Sequence, residues 1–300
     1  MDKKVVEDII KQLMTKFGQD ETLTTCRGKI LDYLGMKIDY RRKGKVTFSM
    51  ENYIKQILED APFDMEGTAK TTATCHLFNV NDGARKLEEK KAQLFHHLVA
   101  KLLYLCDRTR QDIQMAVAFL CTRVKSPDKD DYKKLTRVIQ YLRDTTKMML
   151  TIEPDNNPRW WVDSSYAVHL DMKSHTGIFM SIGRGGGYMA SRKQKRNTKS
   201  STEAELVAID DAMGQILWTR HFLADQDMPV PVTTIYQDNK STILLSENGK
   251  MSSSKRTKQL DVCYYFVTDC IKRGEVKVAY CPRENMLADF FTKPLQGATF

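Results

Sequence analysis

No Cys-x-x-Cys pair occurs among the seven cysteines (Cys26, Cys75, Cys106, Cys121, Cys263, Cys270 and Cys281), and their number is odd. That distribution argues against a disulfide framework or a zinc ribbon and fits a reducing compartment, with the thiols expected as small core or half-buried residues. Proline and glycine are also scarce, at 8 and 15 of 300 residues, and 41% of the chain is hydrophobic, a composition read as excluding collagen, coiled coil and intrinsic disorder. Long apolar runs are missing. Stretches such as Met115–Cys121 fall far short of the ~20 residues that cross a bilayer, and Met1-Asp-Lys-Lys4 leads into no signal-type core. The expectation is a soluble intracellular protein, neither membrane-bound nor secreted, and long enough for more than one core.

Charge is present with a bias. Lys and Arg number 47 against 38 Asp and Glu, a formal net charge of +9, and residues 1–150 carry 28 of the basic and 21 of the acidic residues. The positive field therefore lies mostly in the first half, and it favours a polyanionic partner such as a nucleic-acid backbone. Any single basic cluster, Arg41-Arg-Lys43 for instance, reads equally as a solvated face.

Periodicity divides the chain. Val5, Ile9, Leu13 and Phe17 recur at helical spacing; Ile30–Ile38 and Lys45–Phe48 flank Lys43-Gly44 as the strands of a hairpin; a helix follows at 51–58. Beyond Pro62 and Gly67 the pattern is helical, with one stripe through Leu87, Leu94, Leu98, Leu102 and Leu105, a second through Ile113, Val117, Leu120 and Val124, and a third through Leu135, Val138, Ile139 and Leu142. The turn-rich Glu153-Pro-Asp-Asn-Asn-Pro158 predicts a linker. After it come strands at 160–163, 177–182 and 187–190, the last two joined at Gly185-Gly-Gly187, then a helix over 202–223, a strand over 233–237, helices at 239–247 and 260–271, a strand over 276–280 and a final helix from about Glu284. This is a mixed α/β layout. The predicted units are 1–66, a small α/β piece; 67–153, a helical bundle; and 159–300, a sheet with flanking helices.

Four acids occupy the ends of these elements: Asp163 and Asp238 at strand ends, Glu205 early in the long helix and Asp289 in the last helix. Converging carboxylates repel one another unless a hard cation neutralises them, and Mg²⁺ with its oxygen preference serves phosphate-bearing substrates. Each acid also has a bland reading. Thr202-Glu-Ala-Glu205 has capping-box spacing, with Glu203 as the alternative ligand; Asp238-Asn239 suits an Asx turn; Asp289 suits the first turn of a helix.

The order of these residues adds to the pattern. Asp163-Ser-Ser-Tyr-Ala167, Arg192-Lys-Gln194, Thr198-Lys-Ser-Ser-Thr-Glu-Ala-Glu205, Ile235-Tyr-Gln-Asp-Asn239, Lys255-Arg-Thr-Lys258 and Leu287-Ala-Asp-Phe-Phe-Thr-Lys-Pro-Leu295 resemble the successive signatures of the ribonuclease H domain of copia-type retrotransposon polyproteins. Upstream, Leu102-Leu-Tyr-Leu105, Thr109-Arg-Gln-Asp-Ile113 and Leu135-Thr-Arg-Val-Ile-Gln-Tyr-Leu142 are similar to the thumb and connection of the same reverse transcriptases, and Tyr33-Leu-Gly-Met36 to the end of the palm.

The resemblance implies an RNase H-like mixed five-stranded sheet with flanking helices over 159–300, preceded by a palm remnant over 1–66 and a helical thumb/connection over 67–153. It implies hydrolysis of the RNA strand of RNA–DNA hybrids with two Mg²⁺ ions, Mn²⁺ substituting, and with Asp163, Glu205, Asp238 and Asp289 as ligands. Hydrogen bonds from Ser200, Ser201 and Thr202, and the basic stretch of Arg192, Lys193, Lys195, Arg196 and Lys199, are then candidates for backbone contact. The remainder of a retrotransposon polyprotein is the implied partner, and a cytoplasmic retroelement particle or the nucleus the implied setting.

Departures bound the resemblance. Tyr-x-Asp-Asp, the polymerase signature, is absent, so no DNA synthesis is expected of this stretch. No histidine follows His221, Gln259-Leu-Asp261 stands where His-Ile-Asp is usual, and Arg110-Gln-Asp112 replaces Arg-Pro-Asp. A catalytically inactive nucleic-acid-binding remnant or domesticated protein is the alternative function, and a DDE-type transferase a further rival.

Overall fold

The computed structural model describes residues 3–19, 21–228, 230–248 and 258–300, and these hold an eight-stranded sheet assembly and eight α-helices. Helix α1 (Lys3–Phe17) carries the apolar stripe read from the sequence, yet Val5, Ile9, Leu13 and Phe17 are all exposed. Strands β1 (Ile30–Tyr33) and β2 (Met36–Asp39) form a hairpin where one strand over 30–38 was expected. Leu34 and Gly35 turn the chain with φ of 50° and 75°, the two-residue geometry that suits a twisted hairpin; a leucine in that position gives no turn signal. Strand β3 (Val46–Ser49) adds to β2 antiparallel, and α2 (Glu51–Asp60) follows.

The bundle is α3 (Glu89–Cys106), α4 (Gln114–Cys121) and α5 (Lys129–Asp144), whose buried Leu98, Leu102, Val117, Leu120, Leu135 and Ile139 belong to one core. Asp128 caps α5 by accepting from Asp130 and Asp131. Arg110 is fully buried, bound to Asp112 at 2.7 Å and to the Thr145 carbonyl at 3.0 Å, so the missing proline at 111 is accompanied by a buried ion pair that fixes the turn into α4. His96 and His97 are both exposed, and so are Cys26 and Cys75, which the composition had placed inside.

Strand β4 (Leu150–Ser165) is the main correction to the expected layout. It runs through 153–158, where a linker was predicted, pairing with β3 at Val46↔Ile152 and then with β5 (His175–Arg184). The turn-forming residues are accommodated in a register irregularity between Pro154 and Arg159, where the ladder to β5 is interrupted. Gly183 and Gly185 permit the close approach: a Cβ on either would stand 2.2 Å from the Glu153 carbonyl or 2.0 Å from that of Thr151.

The five-stranded sheet has β6 (Gly186–Lys193) and β4 antiparallel on either side of β5, then β7 (Thr233–Gln237) parallel to β4 and β8 (Val276–Tyr280) parallel to β7. This is the mixed sheet that the resemblance implied. Its helices are α6 (Ser201–Asp225), α7 (Lys240–Asn248) and α8 (Lys258–Lys272). Trp160, Val162, Ile178, Ile209, Met213 and Ile235 form its core, with Trp160 wholly buried and Trp161 stacked on Tyr236. In place of the expected helix from Glu284 there are two short 3₁₀ turns, Arg283–Asn285 and Leu287–Phe291. Lys255, Arg256 and Thr257 lie outside the described residues.

Candidate active site

Alternation along β4 decides which side chains reach the site. Trp160 and Val162 point into the helix-covered core, which leaves Asp163 on the opposite face, under the 3₁₀ segment 287–291. β7 runs parallel beside β4, so its end delivers Asp238 to the same edge. Ser200 caps α6 by accepting from the Glu203 amide at 3.2 Å, and the Glu203 carboxylate reaches back to the Lys199 amide at 2.7 Å. The cap is thus built two residues earlier than the Thr202–Glu205 spacing would place it. Glu205, 5% exposed, is left to point at the sheet.

Three of the four expected acids converge. One oxygen each from Asp163, Glu205 and Asp238 lies within 4.8 Å of the others. Glu203 is not among them, being held in the cap. Asp289 also stands outside this group: its Oδ1 pairs with Lys293 Nζ at 2.6 Å, and the same ammonium lies 3.3 Å from Asp163 Oδ2. Thr292 Oγ1 donates to Asp163 Oδ2 as well.

Gln237, fully buried, organises the other side. Its Nε2 donates to Glu205 Oε2 at 3.2 Å and to the Val162 carbonyl at 3.3 Å, while its Oε1 accepts from the amides of Asp238 and Asn239. One side chain therefore joins β4, α6 and the turn after β7. Gly177, opposite Asp163 on β5, provides the space under the 3₁₀ segment.

The electrostatics are those of a site short of positive charge. Burial pushes Asp163 up to about 6, against the pull of Lys293 and Thr292, with Asp289 and Asp238 adding to the rise. Burial, followed by the charges of Asp163 and Asp238, holds Glu205 well above the ordinary carboxylate range. Burial disfavours the Lys293 ammonium, yet Asp163 and Asp289 keep it above its ordinary value. Two buried carboxylates beside a third form an all-oxygen donor set that suits Mg²⁺ or Mn²⁺, and protonation is the alternative way to relieve the repulsion.

The cleft over these acids holds about 620 Å³ and is also lined by Lys240, Arg283 and Lys293. Lys240 and Arg283 follow Asp238 and β8 closely in sequence, but only the fold brings them to one cleft. None of Arg192, Lys193, Lys195, Lys199, Ser200, Ser201 and Thr202 lines it. Arg192 bonds the Tyr188 hydroxyl, Lys193 pairs with Asp171 at 2.8 Å, Lys195 and Lys199 are exposed, Arg196 pairs with Asp210, Ser201 is exposed at the start of α6 and Thr202 is half-buried there.

No family model matches the chain. Its homologues are Pol polyproteins of Ty1/copia-type transposons from plants and yeast, and they cover most of it. Among them, the retrovirus-related Pol polyprotein from transposon TNT 1-94 of Nicotiana tabacum is 28% identical over 273 residues, 89% of this chain and 20% of that protein. The corresponding polyprotein from transposon RE2 of Arabidopsis thaliana is 28% identical over 212 residues, 69% of this chain and 14% of its own length. The transposon Ty1-LR3 Gag-Pol polyprotein of Saccharomyces cerevisiae is 23% identical over 316 residues, 99% of this chain and 18% of its own length. The chain thus spans a fifth or less of these relatives. Similar solved structures include an RNase H1 isolated from compost, with TM-score 0.35 and 16% identity over 45% of this chain and 91% of that one. The foamy viral protease-reverse transcriptase in complex with dsDNA has TM-score 0.46 and 12% identity over 93% of this chain and 51% of that one.

Proposed function

We propose that this chain is the reverse-transcriptase end and ribonuclease H portion of a retrotransposon Pol polyprotein, and that it hydrolyses the RNA strand of RNA–DNA hybrids. The observation that carries the reading is the convergence of Asp163, Glu205 and Asp238 within 4.8 Å at the edge of the mixed sheet, in a cleft rimmed by Lys240, Arg283 and Lys293.

The three carboxylates are the residues that would hold Mg²⁺ or Mn²⁺, with Asp289 completing the acidic set. Bound there, divalent ions would supply the charge that activates water and stabilises the leaving oxygen of a phosphodiester. The chain's own residues do the rest. Gln237 fixes the Glu205 carboxylate relative to the Asp238 backbone, Thr292 orients Asp163, and Lys240 and Arg283 meet the phosphates of the strand lying across the cleft. The expected products carry 3′-hydroxyl and 5′-phosphate ends.

In this reading residues 1–66 and 67–153 are the palm-end and thumb/connection pieces that hold the hybrid backbone through their positive field. No polymerase activity is expected, and the natural setting is a cytoplasmic particle or the nucleus. The test is cleavage of a hybrid labelled in either strand, in Mg²⁺ and then Mn²⁺, beside Asp163→Asn. RNA-strand cutting that the substitution abolishes supports the reading. A folded wild type that binds hybrid with salt sensitivity but never cuts would replace it with the inactive-remnant alternative, and cutting or joining of DNA duplex with a transferase.

A further inference from the structure

Lys293 is the one cation that the described residues place between two of the four acids. Its ammonium lies 2.6 Å from Asp289 Oδ1 and 3.3 Å from Asp163 Oδ2, in a side chain only 26% exposed. It is not a passing surface lysine. The stem starts four residues after Asp289 on the same short segment, and Thr292, its neighbour, donates to Asp163 from that segment too. Hydroxyl and ammonium together dock residues 289–293 onto the Asp163 carboxylate. The result is a division of the acids: among the described ion pairs Glu205 and Asp238 have no cation, while Asp289 and Asp163 share Lys293, which lies closer to Asp289.

We propose that Lys293 is a resident counter-cation which occupies the Asp163–Asp289 side of the site, so that one divalent ion binds the Asp163–Glu205–Asp238 group readily and a second must first displace the ammonium. The inference rests on the proposed metal-binding role of the triad. Its physical content is charge exclusion: an ammonium and a divalent ion cannot both sit against the same two carboxylates, and removing a like charge a few ångströms away favours the incoming ion by at least about tenfold. The lysine is here a positioning residue. It holds Asp289 toward Asp163 while the second position is empty, and it sets the concentration of ion at which that position fills.

The experiment is titration of the full chain with Mn²⁺ alone, free Mn²⁺ being read by electron paramagnetic resonance, for wild type, Lys293→Gln, Lys293→Met, Lys293→Arg and Asp163→Asn. Wild type and Lys293→Arg are expected to bind one ion well and a second weakly. Lys293→Gln and Lys293→Met are expected to tighten the second ion about tenfold or more, with the first changed little. Circular dichroism confirms that each variant is folded, and either neutral variant suffices if the other is not. Identical two-ion isotherms for wild type and the neutral variants would overturn the proposal while leaving the triad's role standing, provided that Asp163→Asn loses the tight ion. Absence of Mn²⁺ binding by every protein would overturn both. A second ion that binds more weakly without Lys293 would mean that the lysine recruits rather than excludes it, and would also overturn the proposal.

Discussion

Gly177 and Thr292 meet face to face: a Cβ built on Gly177 would stand 2.5 Å from Thr292 Cγ2 and 2.8 Å from the Ala288 carbonyl. Gly177 pairs with Asp163 across β4 and β5, and Thr292 donates its hydroxyl to Asp163, so the three residues form one layer of the site. The glycine's missing side chain is the space in which the Asp289 segment rests.

Gly177→Ala is therefore expected to lift residues 288–292 off the sheet. Overpacking of this kind costs roughly 1–3 kcal/mol. Thermal melting should show a drop of a few degrees, and hybrid cleavage should fall at least about tenfold. Cleavage that stays at the wild-type rate would show that the segment's seat does not matter to the chemistry.

Asp163→Asn, Glu205→Gln and Asp238→Asn are each expected to lower hybrid cleavage by roughly a thousandfold or more, the scale on which electrostatic and metal stabilisation act, with hybrid affinity nearly unchanged. Asp289→Asn should lose less, because Asp289 stands outside the group of three. Single-turnover rates and filter binding on the four variants measure both quantities. Equal losses at all four positions would return Asp289 to the same footing as the others.

The raised Asp163 carboxyl gives a pH signature. In the folded chain it releases its proton only at about 6, whereas an unfolded aspartate does so near 4. Between those values the folded state holds the extra proton, so this group's contribution falls as pH rises through the window and levels off above it. The buried His169 and His175, lowered by burial to about 4 and 3, act in the opposite sense: the unfolded chain takes up protons below about 6.5. Comparing variants isolates the aspartate. Without divalent ions, Asp163→Asn should melt close to wild type at pH 4 and several degrees above it at pH 7; Mg²⁺ should narrow the gap by stabilising wild type. A gap that is constant with pH would contradict the assignment.

Hybrid affinity should fall steeply with salt, since phosphate contacts release counterions. Lys240→Ala with Arg283→Ala is expected to reduce the slope of log K against log salt by about 2, whereas Arg192→Ala, whose guanidinium bonds Tyr188, should change it less. A larger effect at Arg192 would move the contact surface to the β6 edge.

Much of this was legible before any coordinates. The bundle stripes, the 233–237 and 276–280 strands and the long helix all follow from apolar period, because burial on one face enforces that period. Asp163, Glu205 and Asp238 were legible through their order and motif context. The choice of Glu205 over Glu203 became physical only when Ser200, not Thr202, proved to be the cap. What escaped the sequence depends on contacts between distant segments. Gln237 looks like an ordinary strand end until its amide is seen to bridge Val162 and Glu205. Lys293 sat within a quoted motif, at the i,i+4 distance from Asp289 that pairs opposite charges, and its second contact to Asp163 spans 130 residues of sequence. The 153–158 stretch misled because prolines and asparagines mark turns and bulges alike, and only the neighbouring Gly183 and Gly185 distinguish the two.

The bulged β4 has a consequence for how the molecule can be divided. Its first residues give β3 a partner and its later ones give β5 and β7 theirs, so a cut at 153–158 leaves both ladders paired and loses only the Glu153↔Arg184 and Pro154↔Gly183 pairs. What β4 supplies at this point is continuity: one strand carries the backbone from the β3 ladder into the β5 and β7 ladders, and each keeps its own partners on either side of the bulge.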